Sequence, residues 1–243
     1  MKKIVLFALG LIAGATAYAQ EAETEVEAKK KIETTIAADF VNQYIWRGID
    51  MGDVAVQPTL GVGYKGLKLT AWGSYGLTNS DDVKEFDLTL DYTIKGFNFG
   101  ITDYWFNVGL DPDSRYFKYS AHSTNHVFEG FVGYDFGFAA IKWFTNFAGN
   151  DGFNKKGKRA YSSYFEINVP FKLFTVDWNG TAGAVPYATD FYGTTGFAVT
   201  NLALRATKPI KITDTFSIPI FGQITANPCT QKAYFVFGLT LQP

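Results

Sequence analysis

The chain has 243 residues, 22 basic and 23 acidic, so its formal net charge is −1, which gives no electrostatic reason for nucleic-acid binding. Its single cysteine, Cys229, excludes an internal disulfide. Aromatic residues make up 17% of the chain and charged residues only 19%, a composition that fits either a lipid-facing surface or a large soluble core.

The N-terminus predicts a secretory signal peptide over residues 1–19. Lys2 and Lys3 form a charged start, residues 4–15 are apolar, and residues 17–19 form an Ala-x-Ala cleavage site. An uncleaved anchor is the alternative, although the apolar stretch is too short to cross a membrane as a helix. Cleavage before Gln20 would leave a net charge of −3. No later apolar run is long enough for a spanning helix, so a membrane-spanning mature chain would have to be a β-barrel.

Residues 20–31 are rich in Glu, Ala and Lys and contain no aromatic residue, which predicts a charged periplasmic leader, either a short helix or disordered. From Ile32 onward the hydrophobic pattern has a period of two. Residues 84–94 show it best, with an apolar face and a polar face: Phe86, Leu88, Leu90, Tyr92 and Ile94 alternate with Glu85, Asp87, Thr89, Asp91 and Thr93. Such a strand, when tilted, is long enough to cross a bilayer core.

Residues 32–243 are therefore predicted to form an all-β fold, a closed antiparallel transmembrane β-barrel of about twelve strands with both termini periplasmic. The predicted strands are 34–46, 54–64, 67–77, 84–94, 97–107, 126–136, 138–148, 160–169, 172–183, 196–207, 215–226 and 233–241. The sheet is expected to close on itself, because each backbone N–H or C=O group left without a hydrogen bond in hydrocarbon costs on the order of several kcal/mol.

The connections between these strands alternate between long and short. Short links are predicted at 65–66, 95–96, near 137, at 170–171 and around 209–214, and these should be periplasmic. Longer polar links at 47–53, 78–83, 108–125, 149–159, 184–195 and 227–232 should be extracellular. Aromatic residues near strand ends are expected at the membrane interfaces: Tyr44, Trp46, Tyr64, Tyr75, Tyr92, Tyr134 and Trp178.

The start of the predicted barrel resembles the TorF-type porin family of Gram-negative outer-membrane β-barrels. The resemblance is carried by Val-Asn-Gln-Tyr-Ile-Trp-Arg-Gly at 41–48, by Gln57-Pro58, and by Ala-Trp-Gly-Ser at 71–74. It implies an outer-membrane barrel with a porin role and no catalytic residues. The chain departs from many barrels at its end, where Leu-Thr-Leu-Gln-Pro replaces a terminal aromatic residue.

Strand parity predicts which charged residues line the lumen. The acidic candidates are Asp39, Glu85, Asp87, Asp91, Glu129, Asp135, Glu166 and Asp177, and the basic ones are Lys68, Lys142, Arg205 and, near the rim, Arg47. The acidic excess would favour cations and neutral polar solutes. Alternatively, these charges pair across a filled interior. Arg47 could reach carboxylates inside the barrel or shape the entrance, and Gly48 would let the chain turn there.

A hydrolytic site is an alternative raised by His122 and His126, which lie near Ser120, Ser123 and Asn125. An outer-membrane lipase would need such a set, with a base that activates a serine hydroxyl. A solvated loop accounts for these residues more simply. Two histidines without further ligands do not predict a metal site, and no cofactor is predicted.

The function predicted is a porin-like channel in the Gram-negative outer membrane, for passive diffusion of small hydrophilic solutes and with a cation preference. An enzyme acting on lipid or peptide, and a closed structural or adhesive barrel, are the alternatives. The expected partners are outer-membrane lipid and lipopolysaccharide, the barrel-assembly machinery and small polar solutes. A basic loop, with Lys155, Lys156, Lys158 and Arg159, could contact lipopolysaccharide phosphates or be an ordinary solvated loop.

Overall fold

The computed structural model describes residues 32–108, 114–120 and 123–243. The predicted signal peptide, the predicted leader and His122 lie outside the described residues. Fourteen β-strands form within the described part: β1 Glu33–Val41, β2 Tyr44–Trp46, β3 Ile49–Gly52, β4 Ala55–Tyr64, β5 Leu67–Gly76, β6 Val83–Ile94, β7 Phe97–Val108, β8 His126–Asp135, β9 Ala140–Gly149, β10 Ser163–Leu173, β11 Val176–Val185, β12 Ala198–Lys211, β13 Ser217–Asn227 and β14 Lys232–Leu241. None of the described residues belongs to a helix long and apolar enough to cross a membrane.

Twelve of these strands form one closed antiparallel barrel, with β1 beside both β4 and β14. Glu33 pairs with Gly63 of β4 at one end of β1, and Val41 pairs with Gly238 of β14 at the other. Closure leaves no unpaired sheet edge. The predicted all-β fold and its twelve-strand closed barrel are thereby confirmed.

The barrel is apolar outside and polar inside, the reverse of a soluble protein. On β6, Leu90 and Ile94 are each 43% exposed, whereas the carboxylates of Asp87 and Asp91 are only 2% and 5% exposed. Every barrel strand except β11 carries an exposed large apolar side chain. The two faces of each strand differ because successive side chains point to opposite sides of the sheet.

Short turns lie at one end of the barrel and long connections at the other. The turns at 65–66 and 95–96 and around Gly137 occur as predicted. The link predicted at 170–171 is wrong, because β10 continues to Leu173 and Pro170 pairs with Asn179 of β11. The link predicted around 209–214 lies instead at 212–216. Pro170 is tolerated in β10 because the pairing of β10 with β9 has already ended at Asn168. Pro209 is tolerated in β12 for the same reason, since the pairing of β12 with β11 ends at Thr207.

The first predicted strand, 34–46, is wrong in its second half. The barrel strand β1 ends at Val41, and residues 42–54 contain the separate hairpin β2–β3, which we call the inner hairpin. Tyr44 and Trp46 therefore do not lie at a membrane interface: Tyr44 is buried and both pack inside the barrel. The sequence missed the break because β1 and β2 are both extended, so the period-two pattern runs through them.

Two apolar clusters fill the interior near the end with the long connections. One consists of Phe131, Phe144, Tyr164, Val185 and Tyr192, against which Trp46 and Ile49 of the inner hairpin pack. The other joins β1, β4, β13 and β14 beneath Ile45. The inner hairpin is thus part of the core of the barrel, and the predicted extracellular loop at 47–53 folds inward.

Candidate functional site

The inner hairpin turns back at Arg47 and Gly48, immediately between the paired residues Trp46 and Ile49. Both turn residues have left-handed φ angles, 50° for Arg47 and 81° for Gly48. This is the backbone of a two-residue hairpin turn. A Cβ atom on Gly48 would overlap the carbonyl oxygen of Thr200, so glycine is required for this close approach to β12.

Arg47 crosses the interior to Glu129 on β8, a strand that lies nearly opposite β1 in the ring. Its two terminal nitrogens donate to the two oxygens of the Glu129 carboxylate at 2.6 and 2.9 Å. Arg47 also donates to the Tyr192 hydroxyl, and the Tyr104 hydroxyl donates to Glu129 at 2.8 Å. A bidentate pair of this kind fixes both the position and the orientation of the arginine.

Three aromatic rings surround the guanidinium of Arg47. Its central carbon lies 4.1 Å from the ring centre of Phe144, 4.5 Å from that of Trp46 and 4.6 Å from that of Tyr164. Ring faces attract a cation most strongly where water is excluded, and here Arg47 is buried. The guanidinium therefore ties the inner hairpin to β8, β9 and β10 through both charge and packing.

The residues around Arg47 stabilise its protonated, cationic form. Burial is the largest single influence and by itself lowers the pKa of Arg47, but the charge and hydrogen bonds of Glu129 act together with the nearby Tyr192 and Tyr104 hydroxyls and raise that pKa above its ordinary value. Burial also raises the pKa of the Tyr192 hydroxyl, although the nearby Arg47 opposes that rise. A cationic arginine beside a neutral phenol is therefore the stable arrangement over the whole physiological pH range.

The inner hairpin is also attached along its length. Tyr44 donates from its hydroxyl to Glu85 of β6 at 2.9 Å, and its ring lies 5.6 Å from that of Trp72. At the tip, the side-chain nitrogen of Asn227 donates to the carbonyl oxygen of Gly48 at 3.0 Å. The hairpin is consequently held inside the barrel by contacts with several strands.

The charged residues predicted to line the lumen fall into two groups. The following are buried inside the barrel or against the inner hairpin: Asp39, Arg47, Glu85, Asp87, Asp91, Glu129, Lys142 and Glu166. The others are more exposed. Lys68 donates to Thr35, Arg205 lies 3.6 Å from the Phe221 ring centre, and Asp135 and Asp177 lie close to the short turns.

A chamber lies beneath the inner hairpin, with about 170 Å³ accessible to the centres of water molecules. The hairpin forms one side through Gln43, Tyr44, Ile45, Trp46 and Arg47. Strands β1, β4, β5 and β9 to β14 form the walls. Five amide side chains contribute to their polar surface: Gln57, Asn168, Asn179, Asn201 and Gln223. Among the titratable residues, Asp39, Glu166 and Arg205 also line the chamber.

One wall of the chamber is a continuous hydrogen-bonded network. Asn179 and Thr181 of β11 both donate to the amide oxygen of Asn168, at 3.0 and 2.8 Å. Asn168 in turn donates to Glu166 at 2.8 Å, and Tyr164 donates to the other oxygen of Glu166 at 2.7 Å. Such a network holds its side chains in fixed orientations, so the wall presents a defined polar surface.

His126, from the predicted hydrolytic set, lies on the outer face of the barrel. Its ring nitrogens contact a carboxylate oxygen of Asp103 at 2.7 Å and the backbone carbonyl of Tyr116 at 2.5 Å. The Tyr119 ring stacks on the His126 ring at 4.2 Å. The histidine therefore holds the described segment 114–120 against the barrel, and its hydrogen bonds go to a carboxylate and a carbonyl rather than to a serine hydroxyl.

Sequence reasoning missed the aromatic and amide residues of the site. Tyr164 and Asn168 have the same parity as Glu166 on β10, so the alternation that identified Glu166 could also have found them. Tyr192 belongs to a connection between β11 and β12 and has no periodic signal. Its role depends on how that connection folds back over Arg47.

Comparison with known proteins identifies no family. No family model matches the chain, and no curated protein matches it. A solved outer membrane channel from Pseudomonas putida F1 is similar over 90% of this chain and 98% of its own, with 11% identity and a TM-score of 0.38.

Proposed function

We propose that this protein is an outer-membrane channel through which small hydrophilic solutes diffuse, with the inner hairpin as its constriction. The observation that carries the proposal is the combination of an apolar outer surface around a closed barrel with a polar interior that contains a chamber. Soluble monomers rarely expose apolar patches beyond a few hundred Å², on the order of 300–600 Å². A lipid environment would cover this surface.

The proposed channel has a mild preference for cations. Carboxylates outnumber cationic groups among the interior residues, with Asp39, Glu85, Asp87, Asp91, Glu129 and Glu166 against Arg47, Lys68, Lys142 and Arg205. Glu129 is neutralised by its bidentate pair with Arg47, so the proposed preference rests on the remaining interior carboxylates, which still outnumber the remaining cationic groups. Rings of carboxylates favour positive ions in pores.

The proposed location is the outer membrane of a Gram-negative bacterium, reached through the predicted signal peptide and the barrel-assembly machinery. The short turns would then face the periplasm, together with both termini, and the long connections would face lipopolysaccharide. The resemblance of residues 41–48 to the first strand of the TorF-type porins supports the same assignment. In this chain, most of that motif belongs to the inner hairpin rather than to a spanning strand.

Planar-bilayer recording of the purified, folded protein tests the channel. We expect stepwise conductance in potassium chloride, with a reversal potential on the cation side in a salt gradient. Folding is verified separately by heat-dependent mobility on a gel. A silent bilayer with correctly folded protein would refute the channel and leave the barrel intact.

A closed structural or adhesive barrel is the second candidate, and one observation favours it. Arg47 bridges the interior to Glu129, so the inner hairpin fills much of the space at the end with the long connections. On this reading the long connections would bind a partner and no solute would pass. Permeation of a small solute into liposomes that contain the protein separates the two functions, since a closed barrel leaves those liposomes impermeable.

A further inference from the structure

We propose that the chamber beneath the inner hairpin is a binding site for a neutral polyhydroxylated solute of about monosaccharide size, such as a sugar or a polyol. This inference rests on the proposed channel function and specifies the solute class that the constriction would admit. Its evidence is the chemistry of the chamber walls: their charge balance, the orientation of their amides, and their aromatic faces.

The charges that line the chamber are balanced. Arg47 is paired with Glu129, Glu166 of β10 lies opposite Lys142 of β9, and Asp39 and Arg205 attract each other. Glu166 accepts hydrogen bonds from Tyr164 and Asn168, and Asp39 accepts one from Thr240 at 2.6 Å. A cationic or anionic solute would lose its hydration without gaining a net opposite charge, whereas a neutral solute avoids this penalty.

The amides of the chamber present hydrogen-bond acceptors. The side-chain nitrogen of Gln57 donates to Ser74 at 3.3 Å, and that of Gln223 donates to Thr225 at 2.9 Å. Asn179 uses its nitrogen for Asn168 and Thr181. The nitrogens of Gln57, Asn179 and Gln223 are thus engaged by the protein, whereas each amide oxygen has two lone pairs with which it can accept hydrogen bonds. These oxygens fit a solute that carries many O–H donors.

Aromatic rings and volume complete the match. Trp72 and Tyr44 line the chamber beside the amides and offer apolar surface to the C–H groups of a sugar ring. A space of 170 Å³ corresponds to roughly 11 to 17 water molecules, at about 10–15 Å³ for each water. A monosaccharide could replace such a cluster, with its hydroxyl groups donating to the oxygens that water would otherwise contact.

Calorimetric titration of the folded protein in detergent tests this site, with glucose as the probe and with arginine and glutamate as charged probes. We expect glucose to bind at least about tenfold more tightly than either charged probe. The double variant Gln57→Leu/Gln223→Leu should weaken glucose binding about tenfold or more, since each acceptor contributes a hydrogen bond. Gln242→Leu is the matched control, because Gln242 follows the last strand and does not line the chamber.

The outcomes separate this site from the channel. Glucose binding by a protein that is silent in bilayers keeps the site and refutes the channel, whereas conductance without glucose binding refutes the site alone. Tighter binding of a charged probe, or unchanged glucose affinity in the double variant, overturns the proposal. If the double variant fails the heat-mobility test for folding, Asn179→Ser takes its place with the same expected loss.

Discussion

Replacement of Arg47 by methionine should release the inner hairpin and widen the pore. Methionine keeps an unbranched stem that can still pack on Phe144, but it removes the charge and all five N–H donors. The variant therefore tests whether the guanidinium, rather than apolar packing, holds the hairpin across the interior.

The expected shift between closed and open hairpin depends on the hydrogen bonds that Glu129 loses in the variant. Its carboxylate is 1% exposed and accepts from both terminal nitrogens of Arg47, so the variant leaves it with the Tyr104 hydroxyl as its remaining donor among these contacts. Removal of one partner of a buried ion pair costs about 3–5 kcal/mol. If the closed hairpin bears this cost, the ratio of closed to open hairpin falls by roughly two to four orders of magnitude.

Single-channel recording measures the effect as a larger conductance or a higher open fraction. Lys158→Met is the matched control, because Lys158 is exposed on a long connection and should leave the current unchanged. Arg47→Lys should give an intermediate current, since an ammonium cannot form the bidentate pair. The double variant Arg47→Met/Glu129→Gln should destabilise the hairpin less than the two single effects added together. A folded Arg47→Met protein with wild-type current would refute the argument that Arg47 holds the hairpin closed.

Three further predictions follow from the outer face, the interior charge and the external segment. Ile101→Arg should lower the free energy of unfolding of the barrel in lipid by about 2–4 kcal/mol, measured by urea titration. The control Phe117→Arg, outside the strands, should have little effect. Equal stabilities of the two variants would contradict a lipid-facing side chain at Ile101 of β7. Glu85→Gln should lower the permeability ratio of potassium over chloride, and Asp81→Asn on an exposed connection should not; an unchanged ratio would remove Glu85 from the selectivity mechanism. His126→Ala should speed tryptic cleavage within the segment 114–120, because that segment loses both ring contacts; an unchanged cleavage rate would show that other contacts hold it.

The barrel could be predicted from the sequence because the alternation that identifies each strand is visible within that strand alone. Alternation along 84–94 places Asp87 inside and Leu90 outside without reference to any other strand. For Arg47 the sequence left two roles open, a contact with carboxylates inside the barrel or a place at its entrance. Strand ends were less predictable: Pro170 and Pro209 suggested turns, but they lie in strand extensions where a neighbouring strand has already ended.

The alternating pattern was enough to predict a barrel with a polar interior, because side-chain direction in a strand depends only on parity. The spacing of the connections predicted about twelve strands, and the structure has twelve in the closed barrel. Tertiary structure alone decided that residues 42–54 fold inward, because a period-two pattern is the same in a spanning strand and in a hairpin strand. It also decided that Arg47 meets Glu129, Tyr192 and three aromatic rings. These partners come from distant parts of the chain and become neighbours only when the barrel closes.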